Sequence, residues 1–115
     1  MITISVPIKI ESELNLRGHW ANRAKRFKAQ RHAVYWAWRA EGKPIATLPA
    51  VVRLVRLGKK TLDDDNLAGS FKAIRDEIAA EILHVDDADP RVRWEYAQQQ
   101  TLQYSVRIEI REAIE

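Results

Sequence analysis

Apolar and polar residues alternate from the first position of the chain: Ile2, Ile4, Val6, Ile8 and Ile10 are separated by Thr3, Ser5, Pro7 and Lys9. A period of two is that of a strand with one buried face. Pro7 has no amide hydrogen to offer a ladder, so this strand is expected at a sheet edge or against a second chain. The stretch ELNLRGHW follows as a loop. A helix is then predicted from Ala21 to Glu41, stopped by Gly42 with Pro44 just beyond. Ala24, Phe27, Val34 and Trp38 share one side of it and basic residues occupy the rest. The β-branched run from Val51 to Leu57 reads as a second strand. Leu67, Phe71, Ile74, Ile78 and Ile82 recur at steps of four, three, four and four, which predicts a helix with one apolar stripe from Asn66 to Leu83. Two more alternating runs, from Val92 to Tyr96 and from Leu102 to Ile110, are joined through AQQQ and predict a terminal hairpin.

The order β-α-β-α-β-β, with no linker, repeat or low-complexity stretch, predicts one α+β domain over residues 1–115, a mixed sheet packed with two helices. A chain of 115 residues can hide roughly two-thirds of its unfolded surface and needs no covalent staple. The absence of cysteine excludes thiolate zinc sites, redox pairs and cysteine nucleophiles, and it suits a reducing cytoplasm. No basic leader precedes an apolar stretch, and no run approaches the roughly 18 apolar residues of a membrane span. A soluble, cytoplasmic protein with no membrane partner is expected.

Charge changes this picture more than composition does. The net charge is +3, but Asn15 to Ala40 carries Arg17, Arg23, Lys25, Arg26, Lys28, Arg31 and Arg39 with no acid, so this segment is +7 and the rest of the chain is −4. A basic lobe and an acidic lobe share one small domain.

The acidic lobe centres on TLDDDNLAGSFKAIRDEIAAEILHVDD, with Asp63, Asp64 and Asp65 adjacent and Asp86 and Asp87 at its end. Such carboxylates repel unless water, a helix terminus or a cation offsets them. In one reading Asp65 is an N-cap, worth about 1 kcal/mol, with Asp63 and Asp64 adding favourable charge at the helix start. In the other, Asp63 and Asp65 end an extended segment and point to the same side, where they offer the oxygen ligands that a hard ion such as Mg²⁺ prefers. Such an ion polarises phosphodiesters, and the basic lobe would hold the polyanion. Asp86 and Asp87 lie past a helix about 27 Å long, so a return strand or a symmetric dimer would have to bring them to Asp63 and Asp65. Lys72 and Asp76 are four apart, spaced for an ion pair, or for Lys72 to meet a scissile phosphate.

The run DDDNLAGSFKAIRDEIAAEILHVDDADPRVRWEYAQ, and more weakly NLRGHWANRAKRFKAQRHAV, resembles the RusA-type Holliday junction resolvases, small endodeoxyribonucleases of phages, prophages and bacteria. The family pattern Asp-x-Asp-Asn-Leu matches Asp63, Asp65, Asn66 and Leu67, its functional lysine Lys72, its helical aspartate Asp76, and its closing pair Asp86 and Asp87. The segment AGSF between Leu67 and Lys72 is longer than in the shorter family members, and Gly69 could absorb a local irregularity there. The resemblance implies an intertwined homodimer that binds branched, four-way DNA and cuts two opposed strands with Mg²⁺, or Mn²⁺ in its place. It implies Asp63, Asp65 and Asp87 as catalytic metal ligands, Lys72 as catalytic charge stabiliser, and Asp86 and Asp76 as supports behind them. Arg17, Arg23, Lys25, Arg26, Lys28 and Arg31 are the expected phosphate contacts, and the Pro7 strand and the strand from Leu102 to Ile110 the expected interface edges.

His19, His32 and His84 are too scattered for metal ligands, and His84 reads as a favourable charge at a helix end. Trp38 and Trp94 read as core, while Trp20 and Trp36 are the candidates for stacking on bases. No Gly-rich phosphate loop, Gly-x-Ser-x-Gly or zinc-finger spacing occurs, so no nucleotide cofactor is expected. A non-catalytic DNA-binding dimer and a scaffold that meets an acidic partner are the rival readings.

Overall fold

The computed structural model describes residues 1–11 and 20–113, with Trp20 described by its backbone alone. Four strands, β1 (Ile2–Val6), β2 (Ala50–Gly58), β3 (Val92–Gln100) and β4 (Ser105–Glu112), form one mixed sheet in the order β1-β4-β2-β3. Their period of two sends Ile4, Val6, Val52, Leu54, Val92, Val106, Ile108 and Ile110 into a single core. Helix α1 (Trp20–Ala40) and the helical stretch from Asp64 to Leu83 complete that core through Val34, Leu67, Phe71, Ile74, Ile78 and Ile82. The chain is therefore the single α+β domain its patterning predicts. No described helix is long and apolar enough to cross a membrane.

The other face of the sheet is a grid of charge. Arg53 on β2 stands opposite Glu95 on β3 and Glu109 on β4, and its Nη1 donates to Glu109 Oε1 at 3.3 Å. Arg107 Nε reaches the second oxygen of Glu109 at 2.9 Å. Val51 and Val55 are buried on this same face, so β2 is buried on both its faces.

The expected hairpin does not form. β2 lies between β3 and β4, parallel to the first and antiparallel to the second, and AQQQ is the end of β3 rather than a connection. The chain leaves β3 by crossing the end of β2, where Thr101 N–H donates to Gly58 O at 2.9 Å and the Tyr104 ring packs close against Gly58. A Cβ on Gly58 would overlap that ring, so any other residue here would have to displace Tyr104. This placement corrects one of the two expected edges: among the described strands β4 is interior, whereas β1, the strand before Pro7, is an edge as expected, and β3 is the other. β1 ends at Val6, because Pro7 cannot continue the ladder and Ile8 N–H closes a tight turn onto Val6 O at 2.8 Å.

Helix α1 ends in a Schellman motif, with Gly42 at φ 87°, Gly42 N–H on Arg39 O (3.0 Å) and Lys43 N–H on Trp38 O (3.1 Å). Its inner side is Val34 with Ala33, Ala37 and Trp38; Ala24, expected there, is exposed. Arg31 Nε pairs with the buried Glu77 carboxylate at 2.9 Å and ties α1 to the helix after β2.

The stretch predicted as one helix is three pieces: α2 (Asp64–Ser70), α3 (Lys72–Glu77) and a π-helical turn, Ile78–Leu83. The break has a local cause. Ser70 Oγ donates to Leu67 O at 2.6 Å, taking the acceptor that Phe71 N–H would use in a continuous helix, and Phe71 N–H turns to Ala68 O. The apolar stripe survives because Phe71 stays fully buried at the junction.

Candidate functional site

The acidic run enters the helix earlier than its spacing suggests. Asp63 is the N-cap, and Asp64 and Asp65 are already helical, so Asp65 is neither the cap nor part of an extended segment. The cap is unconventional. Asp63 O accepts from Leu67 N–H at 2.8 Å, but its carboxylate accepts from the Asn66 side chain at 2.9 Å instead of from a first-turn amide. All three carboxylates are exposed. The stabilising contact that would explain the run as ordinary capping is thus not made.

The backbone ahead of this run is held by β3. Leu62 N–H donates to Gln98 Oε1 at 2.8 Å, and Gln98 Nε2 donates back to Leu62 O. One side-chain amide thus replaces a ladder pair just beyond β2 and sets where Asp63 leaves the sheet.

On α3, in the middle of the helical stretch, Lys72 and Asp76 come together with Asp87 of the loop that follows it, within one chain. Lys72 Nζ stands 3.1 Å from Asp76 Oδ1 and 3.8 Å from Asp87 Oδ2. These ion pairs are partly exposed and add at most a few tenths of a kcal/mol to about 1 kcal/mol each, so their content is geometric. An ammonium has three donors, and two carboxylate neighbours leave one for a third oxygen.

Arg75, which the sequence reading did not single out, organises the cluster. Its Nη1 donates to Tyr96 OH at 2.6 Å, its Nη2 donates to Asp87 O at 3.2 Å, and its guanidinium lies 4.9 Å over the Trp94 ring. Nε is 3.4 Å from Asp87 Oδ2, near enough for charge attraction but not aligned for a hydrogen bond. Trp94 Nε1 donates to the same Asp87 carbonyl at 3.0 Å, and Tyr96 stacks on Phe71. Trp94 and Tyr96 are half-buried floor residues of the site and not plain core. The offsets Phe71, Lys72, Arg75 and Asp76 place these residues on adjoining helix faces, the one signal that could have pointed to Arg75 beforehand.

Asp86 shapes the loop that presents Asp87. Its Oδ1 accepts from Ala88 N–H at 2.9 Å and its carbonyl from Asp89 N–H at 3.0 Å, an Asx turn. Asp89 repeats the device on Arg91, taking the amide (2.9 Å) and both ends of the guanidinium (3.1 and 2.8 Å). The Arg91 side chain, then its amide, holds the Asp89 carboxyl down at about 2.

Among the described residues no group of three or more His, Asp or Glu side chains converges to hold a metal ion, so Asp63, Asp65 and Asp87 do not form such a group here. The donors themselves are oxygen only and accessible, the chemistry a hard divalent ion takes. His32 and His84 are exposed, His84 closing the π turn in the left-handed conformation (φ 56°). Arg17 and His19 lie outside the described residues, as does the loop expected around them and the Trp20 side chain. Arg23, Lys25 and Lys28 are exposed on α1, while Arg26 and Arg31 are half-buried. A groove of about 740 Å³ between α1 and the helices after β2 is lined by Phe27, Arg31, Tyr35, Glu77 and Glu81 among others, and none of the candidate acids lines it. In comparisons with known proteins, no family model matches the chain, and no curated protein or solved structure matches it.

Proposed function

We propose that the chain is a Mg²⁺-dependent, structure-selective endodeoxyribonuclease of the RusA type, acting on four-way junctions as a homodimer. The observation that carries this reading is the meeting of Lys72, Asp76 and Asp87 at the offsets of that family's motif, with Arg75 behind them. A cation flanked by carboxylates beside an exposed acidic run suits phosphodiester chemistry: the lysine faces the charge that develops on phosphate oxygens. Asp63, Asp65 and Asp87 do not converge among the described residues of one chain, and would hold the ion as part of a site completed in the dimer; when bound it would supply Lewis-acid polarisation of the phosphodiester. Lys72 contributes the remaining donor to a phosphate oxygen, Asp76 keeps its ammonium oriented, and Arg75 fixes the Asp87 backbone. A two-fold dimer through the free β1 or β3 edge would offer two such sites to the two equivalent strands of a junction. Light scattering checks the protomer count.

Asp65→Asn tests the reading. It abolishes cleavage of a synthetic four-way junction in Mg²⁺ and leaves junction binding in Ca²⁺ intact; undiminished cleavage removes the metal ligand. A readout apart from activity is thermal stability, because an ion bound only by the folded state raises the melting temperature by mass action, and Asp65→Asn loses that rise.

A second reading is a non-catalytic DNA-binding dimer whose acids are structural. It is favoured by the fact that Lys72 already has two carboxylate partners and that no three acids converge among the described residues. It predicts junction binding with no cut strand in Mg²⁺ or Mn²⁺.

A further inference from the structure

Helix α1 carries an ordered row on the side away from the core. Val34, with Ala37 and Trp38 partly buried beside it, faces the sheet. On the opposite side Lys25, Lys28, His32, Trp36 and Arg39 follow at steps of three, four, four and three, the spacing that keeps residues in one line along a helix. All five are exposed, Trp36 at 59%. The row spans about 21 Å at 1.5 Å per residue.

Two features set it apart from a solvated helix face. No acid pairs with Lys25, Lys28, His32 or Arg39 among the described residues, although Arg31, one turn away and off the row, is paired with Glu77. And the large aromatic ring is not tucked down: the Arg39 guanidinium lies 5.2 Å from the Trp36 ring and Tyr35 meets it edge-on at 5.6 Å, so the indole is oriented with much of its surface in water. Cations without an acidic partner at both ends of a line, with an ordered indole between them, match a strand whose phosphates are spaced along its length and whose bases offer flat π faces. An indole cannot enter the base stack of an intact duplex without unstacking it, whereas an unpaired base is free to lie on it.

We infer that this row binds an unpaired stretch of DNA, with Lys25, Lys28 and Arg39 on phosphates and one base stacked on Trp36. The inference rests on the DNA-binding half of the proposed function and is independent of its metal site. In a four-way junction the row would take a base freed at the branch point.

The test is fluorescence anisotropy in EDTA with labelled oligothymidylate, a blunt duplex of equal length and a four-way junction. Trp36→Ala is expected to weaken oligothymidylate binding by about 5- to 150-fold while barely changing duplex binding. Trp36→Phe is expected to recover part of the loss. Lys25→Ala with Lys28→Ala is expected to lower the salt slope by about 0.7 for each single-strand phosphate contact removed, and Trp36→Ala leaves that slope unchanged. The inference is overturned if Trp36→Ala binds oligothymidylate like the parent protein. It is equally overturned if duplex and single strand lose affinity together, or if the variant loses self-association in light scattering with DNA binding unchanged, which would make the row an interface between copies. The exposed position of Trp36 keeps the fold out of the comparison, and an unchanged melting temperature verifies it. Intact binding by this row together with an inert site in Mg²⁺ would remove the nuclease reading alone.

Discussion

The guanidinium of Arg75 holds Asp87 at two points, its main-chain oxygen at 3.2 Å and its carboxylate at 3.4 Å, across a gap of twelve residues. Arg75→Met removes the fork, leaves the Asp87 carbonyl to Trp94 alone and strips Tyr96 OH of its donor. A loss of about 1–3 kcal/mol is expected. Arg75→Lys keeps charge but not the planar fork and is expected to recover only part of it. The urea midpoint measures both; an unshifted midpoint in Arg75→Met would show that the cluster contributes no stability.

Gln98 closes two bonds on the Leu62 peptide, and Gln98→Ala opens both. The Leu62 amide should then exchange its hydrogen much faster in deuterated buffer, with about 1–3 kcal/mol lost from local stability. If the proposed site is correct, junction cleavage falls as well, because Asp63 follows directly on this peptide.

Gly58→Ala sets a methyl group against the Tyr104 ring. Overpacking here is expected to cost about 1–3 kcal/mol, read from thermal or urea unfolding. Combining it with Tyr104→Ala should recover part of the loss, since the two changes share one contact.

The Asp89 carboxyl is lowered from its ordinary 3.8 to about 2, first by the Arg91 side chain and then by the Arg91 amide. A group whose pKa is depressed in the folded state adds stability that is fully present above 3.8 and fades as pH falls toward 2. Carboxyl carbon NMR should place its midpoint near 2, and Arg91→Ala should return the midpoint toward 3.8.

The apolar stripe through Leu67, Phe71, Ile74, Ile78 and Ile82 was legible because burial on one helix side needs only period. The break inside it was not. It depends on the Ser70 hydroxyl taking a main-chain acceptor, a choice between two bonds of similar strength that periodicity does not record. Asp63, Lys72, Asp76 and Asp87 could be singled out as charge at fixed offsets. That Asp87 meets Lys72 within one chain, while the acids near Asp63 stay apart as exposed groups, required the path of the loop after the π turn. Arg75 and Gln98 were not legible because their partners lie far along the chain: Tyr96 and Asp87 for Arg75, the Leu62 peptide for Gln98.

The sequence by itself determined the order of helical and extended segments, most residues of the core, the glycine stop of α1 and the separation of a basic helix from an acidic segment. These follow from local periods, backbone sterics and composition. Only the tertiary structure decided which strands are neighbours. Alternation tells a strand which face to bury but not which edge to join, so the hairpin of β3 with β4 and the insertion of β2 between them satisfy the same pattern. Choosing the second required Gly58 to make room for Tyr104, and it also brought Trp94 and Tyr96 beneath Arg75 to complete the site.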